Sequence, residues 1–124
     1  MITRWLLLAV FGAIGTIARA ELGSLVQRLT GPAFPWGTVS VNLVGSLLFG
    51  LVWAAAAGHA RASDVRLAAL TGFMGAFTTF STFMFDTAEL AEASRFGAMA
   101  GNLVLQNAAG LVCMTVGLAI GRAF

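Results

Sequence analysis

The chain has no lysine, a single cysteine, two prolines and little charge of either sign. Charged residues make up 10% of its 124 positions, against about 25% in a soluble domain. With 59% of residues apolar, too few polar groups remain to cover a surface in water, and the excess apolar surface is expected to face lipid. The lone Cys113 excludes a disulfide within one chain and, lying inside the last apolar run, reads as packing. Both prolines, Pro32 and Pro35, fall in one short segment, where they mark a turn. All the basic charge comes from seven arginines scattered near the ends of apolar runs, so no basic stripe suited to nucleic acid exists. Metal-ligand spacing, a nucleophile–base set and a phosphate-cradling loop are all missing, which leaves an enzyme reading without support.

What is present is length in the apolar runs. A helix needs about 20 apolar residues to cross the hydrocarbon core, and residues 5–26, 36–57, 67–88 and 96–120 qualify. The breaks are short: a turn at 30–35, a polar loop at 58–64 that holds His59 and ends in Ser63 and Asp64 as candidate helix caps, and a break at 89–95. The runs lack the period-two alternation of barrel strands. Arg4, the first apolar run and Ala18-Arg19-Ala20 together imitate a signal peptide. That run is long enough to span, however, similar runs follow it, and no soluble domain is there to export, so a retained first span is expected. The expectation is an all-α membrane protein, residues 1–124 forming one unit of four transmembrane helices.

Alternating spans put Arg4, Arg61, Arg66 and Arg122 on one side and Arg28 and Arg95 on the other, with Arg19 late in the first span and nearer the second group. The positive-inside rule needs a clear bias to fix one orientation, and this bias is weak. Insertion in both orientations, which would allow an antiparallel pair, and a single orientation with modest bias fit the charges equally. Fifteen glycines and the small-residue pairs Ser46/Gly50, Gly97/Gly101 and Gly117/Gly121 favour close helix approach. Four short helices enclose little interior, so self-association is expected.

The third span holds the densest polar chemistry. Residues 72–83 contain Gly72 and Gly75, then Thr78, Thr79, Ser81 and Thr82 among Phe77, Phe80 and Phe83. Glycine and adjacent β-branched threonines are poor helix formers. A helix broken within the membrane normally lines a cavity or holds an ion, because freed carbonyls need partners there; an intact helix with its hydroxyls bonded to the preceding turn is the other reading. Four hydroxyls in so short a stretch favour the first. Phe80 and Phe83 share a face, and their positive ring edges could replace part of an anion's water, although core or lipid-facing rings fit the spacing more simply. In the second span Thr38, Asn42 and Ser46 form a stripe, and Asn102, Gln106 and Gly110 repeat it in the fourth, with Asn107 pointing elsewhere. Such stripes either join helices or line a narrow polar path. Arg19 and Glu21 point to opposite sides of a helix. Arg19 either snorkels to the interface or faces carbonyls or a water-filled vestibule, where it would concentrate anions. Asp86 is expected at the interface.

Three segments together resemble the Fluc/CrcB family of fluoride channels: Gly12-Ala13-Ile14-Gly15-Thr16-Ile17-Ala18-Arg19, Trp36-Gly37-Thr38-Val39-Ser40-Val41-Asn42-Leu43-Val44-Gly45, and residues 72–83 ending in Thr78-Thr79-Phe80-Ser81-Thr82-Phe83. Their order, spacing and four-span frame cover nearly the whole chain. The resemblance implies an antiparallel, dual-topology homodimer in the bacterial cytoplasmic (inner) membrane, with the third helix broken near the membrane centre. It implies one structural sodium ion on the dimer axis, held by the backbone carbonyls of Gly75 and Thr78. It also implies two fluoride pathways, with ring edges from Phe80 and Phe83, the amide of Asn42, and Arg19 as the family's first-span arginine. Thr38, Ser81, Thr82, Asn102 and Gln106 complete the polar path. The implied role is passive export of fluoride that entered as hydrogen fluoride and ionised in the cytoplasm. The sequence departs from the family where tyrosine and serine are usual at Asn102 and Gln106, glutamate at Asp86 and glycine at Ala76.

Two rival readings remain. A small multidrug transporter subunit shares the length, the four spans and dual topology, but needs a carboxylate deep in the first span, for which Glu21 is the one candidate. A non-conducting helix bundle would use the polar stripes only to join helices.

Overall fold

The computed structural model describes residues 1–57 and 63–123. His59 and Arg61 of the polar loop lie outside the described residues. The elements are α1 (Ile2–Thr30), α2 (Trp36–Ala55), α3 (Ser63–Leu67), a π-helical segment (Ala68–Met74), α4 (Gly75–Phe77), α5 (Phe80–Glu92) and α6 (Phe96–Gly121). No strand occurs among the described residues. Four helical paths are long and apolar enough to cross a membrane: Ile2–Thr30, Trp36–Ala55, Asp64–Glu92 and Phe96–Gly121. The chain is a four-helix, multi-pass membrane protein.

The bounds differ from the apolar runs where local bonds extend a helix. The run at 5–26 lies inside the 29-residue α1, which is about 43 Å long and outreaches the hydrocarbon core of about 30 Å. Its last turn gains from Arg28 at the negative end of the helix dipole and from the Thr30 hydroxyl, which donates to the Val26 carbonyl at 2.8 Å. The chain then turns through Gly31 at φ 81°, a left-handed conformation that glycine adopts without steric cost. Gln27 stitches this turn: Nε2 donates to the carbonyls of Gly31 at 2.6 Å and Phe34 at 3.0 Å, and Oε1 accepts the Gly37 N–H at 3.0 Å. That last bond satisfies one of the orphan donors at the start of α2. α3 begins at Ser63 and carries Asp64 in its first turn, where the dipole favours a carboxylate.

The α2–α6 pair forms the most extensive contact in the chain, and glycine makes it possible. A Cβ on Gly50 would run into the Met114 carbonyl, one on Gly117 into the Leu47 carbonyl and one on Gly121 into the Leu51 carbonyl. The Gly117/Gly121 pair therefore sits in a backbone-to-backbone seam, whereas Gly97 and Gly101 face open space. On the other side α1 packs along the π-helical segment, with Gly15 beneath the Phe73 carbonyl. Arg66 lies over the Trp53 ring, 4.2 Å from its centroid, a cation–π contact near the end of α2.

The third path is irregular. After the π turn and the short α4, Thr78 (φ −82°, ψ 158°) and Thr79 (φ −148°, ψ 112°) are extended. The helix ends at Phe77, the Thr78 N–H still donating to the Met74 carbonyl at 3.0 Å, and resumes at Phe80. Beyond that point α5 packs mainly on α6. The turn between them closes through Ser94, in the left-handed region at φ 57°, with the Arg95 N–H donating to the Leu90 carbonyl at 2.8 Å.

Candidate ion pathway

Two extended residues inside an apolar span leave backbone groups that need partners. The Thr79 peptide finds them on Asn42 of α2. Its N–H donates to Asn42 Oδ1 at 2.8 Å, and its carbonyl accepts from Asn42 Nδ2 at 3.1 Å. The amide thus imitates a neighbouring strand for one residue. The Thr79 hydroxyl caps α5 by accepting the Thr82 N–H at 3.2 Å and donates to Thr82 Oγ1 at 2.9 Å. These diversions leave two carbonyls without their helical donors. In a continuous helix the Gly75 carbonyl would accept from the Thr79 N–H and the Thr78 carbonyl from the Thr82 N–H; both donors are engaged elsewhere.

From Asn42 the bonding continues across α6. Asn42 Nδ2 donates to Gln106 Oε1 at 2.7 Å, Gln106 Nε2 to Asn102 Oδ1 at 2.9 Å, and Asn102 Nδ2 to Thr87 Oγ1 of α5 at 2.9 Å. Thr87 Oγ1 then donates to the Phe83 carbonyl at 2.7 Å. Asn102 is fully buried and Gln106 nearly so; each amide is satisfied by this chain, as burial requires.

Two cavities flank the Thr79–Asn42 clamp. The larger, of about 830 Å³, is bordered by Arg19, Gln27, Thr38, Thr82, Asp86 and Arg95, among others. The smaller, of about 290 Å³, is bordered by Asn42, Ser46, Thr78, Phe80, Phe83 and Gln106, among others. Thr79 borders both. Of the α2 stripe, Thr38 faces the larger cavity and Asn42 and Ser46 the smaller. Phe80 and Phe83 meet edge to face, centroids 5.8 Å apart at 72°. Phe80 is 72% exposed and Phe83 5%, so one ring lies on the surface of the chain while the other is held inside.

The structure therefore brings Asn42, Phe80, Phe83, Thr78 and Gln106 around one cavity and Arg19, Thr38 and Thr82 around the other. Ser81 and Asn102 border neither, and Gly75 is exposed with open space beside it. Asn107, expected to point away, also borders the smaller cavity, although its amide turns back to the Leu103 carbonyl at 2.7 Å. Asp86, expected at the interface, borders the larger cavity; its Oδ2 is buried without a hydrogen-bond partner. Glu21 is exposed and borders neither cavity. Sequence reasoning missed Thr79, Thr87 and Gln27. Thr79 carried a usable signal, a hydroxyl immediately before a restarting helix. Thr87 and Gln27 carried none, because their partners are set by packing.

Residues 6–118 match the family described as CrcB-like protein, Camphor Resistance (CrcB). Curated relatives cover the chain almost end to end. A protein of Solidesulfovibrio magneticus named fluoride-specific ion channel FluC is 48% identical over 116 residues, 93% of each chain. Its namesake in Nitrosococcus oceani is 46% identical over 95% of this chain and 94% of the relative. The namesake in Geobacter sulfurreducens is 42% identical over 97% of this chain and 98% of the relative.

Proposed function

The chain belongs to the CrcB-like family, a family of ion channels rather than enzymes, and from that premise we propose that it conducts fluoride passively out of the cytoplasm, across the bacterial inner membrane. The working unit is an antiparallel, dual-topology homodimer with two fluoride pathways, in which the third helix is broken near the membrane centre. The observation that carries this reading is the clamp between Thr79 and Asn42. It lies between two cavities, and the smaller is lined by amides, hydroxyls and aromatic rings and by no charged residue.

An ion must bind firmly enough to enter and weakly enough to leave. Fluoride is small and strongly hydrated, so neutral donors that replace its water one at a time suit conduction better than a cation that would trap it. Arg19 and Arg95 border the larger cavity, the vestibule, and raise the local anion concentration; Thr38 and Thr82 offer hydroxyls there. Beyond the clamp, Phe80 and Phe83 present ring edges. Both Nδ2 protons of Asn42 are engaged, with the Thr79 carbonyl and Gln106 Oε1. An anion arriving in the smaller cavity accepts the hydrogen bond that Asn42 Nδ2 otherwise gives to Gln106 Oε1, the N–H staying intact, so the donor is released only when an acceptor replaces it. Ser81 acts through Thr79, whose hydroxyl lies 3.4 Å from its own.

The freed carbonyls of Gly75 and Thr78 fit a hard cation, which prefers oxygen ligands, and two copies of the pair supply four such oxygens. A sodium ion held there would tie two subunits together at the axis. The surfaces that a single chain leaves uncovered support the same assembly: Phe80 is largely exposed, and Gly75, Gly97 and Gly101 face open space. A proton-exchanging drug transporter finds no support, since Glu21 is exposed away from both cavities.

Fluoride efflux from liposomes holding the purified protein, read with a fluoride electrode and repeated with chloride, tests the function. Fast fluoride release with chloride retained is expected. Absence of release from folded, dimeric protein would overturn it.

A further inference from the structure

The five hydrogen bonds from Thr79 through Asn42, Gln106, Asn102 and Thr87 to the Phe83 carbonyl all run in one direction, each group donating to the next. Aligned chains of this kind polarise one another. Their placement is as telling as their order. Between α5 and α6, the hydrogen bond present among the described residues is the one from Asn102 to Thr87. The segment that carries the two rings is thus pinned at two points. Thr79, just before it, is held by Asn42; Thr87, eight residues or about 12 Å of helix further on, is held by Asn102. Phe80 and Phe83 lie between the pins, and Gln106 joins them. Asn102 is fully buried and borders neither of the two cavities; its contacts here are within the relay.

We propose that Asn102 and Thr87 are positioning residues for conduction: through Gln106 and the Phe83 carbonyl they fix the Asn42 amide and the Phe83 ring in one register. The relay is built from an amide at each of two α6 positions, Asn102 and Gln106. It predicts that breaking the far end of the relay slows the ion without unfolding the protein. The proposal rests on the channel reading, and the test separates the two.

Thr87→Val keeps the shape of the side chain and removes both the donor and the acceptor. Liposomes loaded so thinly that each holds at most one dimer give two readings: the fraction of vesicles that release fluoride, which counts assembled channels, and the rate within a releasing vesicle. For Thr87→Val the fraction should stay within about twofold of wild type and the rate fall at least about tenfold, the factor carried by the lost bond from Asn102 alone when its loss falls wholly on the barrier. Thr87→Ser, which restores the hydroxyl, should recover the rate to within about threefold. A merely structural hydroxyl would lower the fraction and leave the rate. Should Thr87→Val fail to assemble, Asn102→Leu breaks the same link from α6 and should show the same slowed rate. A wild-type rate in whichever variant assembles, a loss confined to the fraction, or no recovery with serine would overturn the relay. Wild-type protein that releases no fluoride would overturn the channel reading and the relay together.

Discussion

Asn42→Asp is the most demanding test of the clamp, because it changes donors and charge while keeping shape. The carboxylate still accepts the Thr79 N–H, now at 2.8 Å. It has no proton for the Thr79 carbonyl, held at 3.1 Å, or for Gln106 Oε1, held at 2.7 Å. Each of these acceptors then faces another oxygen. A hydrogen bond lost in this way costs about 1–3 kcal/mol when the abandoned group stays buried. Thr79 is 9% exposed and Gln106 8%, and both border a cavity of about 290 Å³, large enough for water to replace part of the missing donors, so each share lies in the lower part of that range. The sum is about 2–4 kcal/mol, or about a thirtyfold to thousandfold fall in conductance if it is all felt at the constriction; repulsion between the carboxylate and fluoride adds to it. Liposome efflux, normalised to dimer measured in the same preparation, reads the effect. A rate within about threefold of wild type would refute the reasoning.

Three further outcomes follow from the same geometry. Phe80→Ile and Phe83→Ile should each stop fluoride flux while leaving assembly intact, since the aliphatic chain fills space but has no positive ring edge; sustained efflux in both would remove the rings from the mechanism. Thr78→Ala removes a hydroxyl that donates to the Met74 carbonyl at 2.9 Å but leaves the Thr78 carbonyl in place, so it should weaken the dimer less than Gly75→Pro, whose ring clashes with the preceding turn and re-aims the Gly75 carbonyl; equal loss in a subunit-association assay would contradict the carbonyl assignment. Gly117→Ala drives a methyl into the Leu47 carbonyl and should cost about 1–3 kcal/mol in thermal or denaturant unfolding in detergent, and unchanged stability would show that the seam can open without strain.

The four spans were legible because hydropathy is a local property: a long apolar run needs no knowledge of its neighbours. Their ends were less so, since Thr30 and Arg28 extend α1 through capping bonds that composition alone does not show. The π-helical segment Ala68–Met74 could not be read from the sequence; α1 packs closely along it, and the Leu8 carbonyl would stand 3.1 Å from a Cβ added at Gly72. Within the site, Asn42 could be singled out because an amide in an apolar span must find a partner. That its partner is the Thr79 peptide could not be read, since 37 positions separate them in sequence. Gln106 and Asn102 were legible as a stripe, but a stripe does not say whether it faces an ion or another amide. The answer depends on how closely α2 and α6 approach.

That approach links the plainest feature of the sequence, its abundance of glycine, to the site. Helices with ordinary side chains at their contact stand about 8–10 Å apart. Here Gly50, Gly117 and Gly121 bring backbone against backbone along α2 and α6. The same pair of helices presents Asn42 and Gln106 to each other at 2.7 Å, a distance that two short amides could not bridge across a wider gap. The seam therefore sets the reach of the relay, and the relay in turn gives partners to the groups that Thr78 and Thr79 free when they leave the helix. An extended backbone would be costly in this apolar setting. It persists because one amide on α2 replaces the two helical bonds that Thr79 forgoes, and because the glycine seam holds that amide against Gln106, in register with the start of α5.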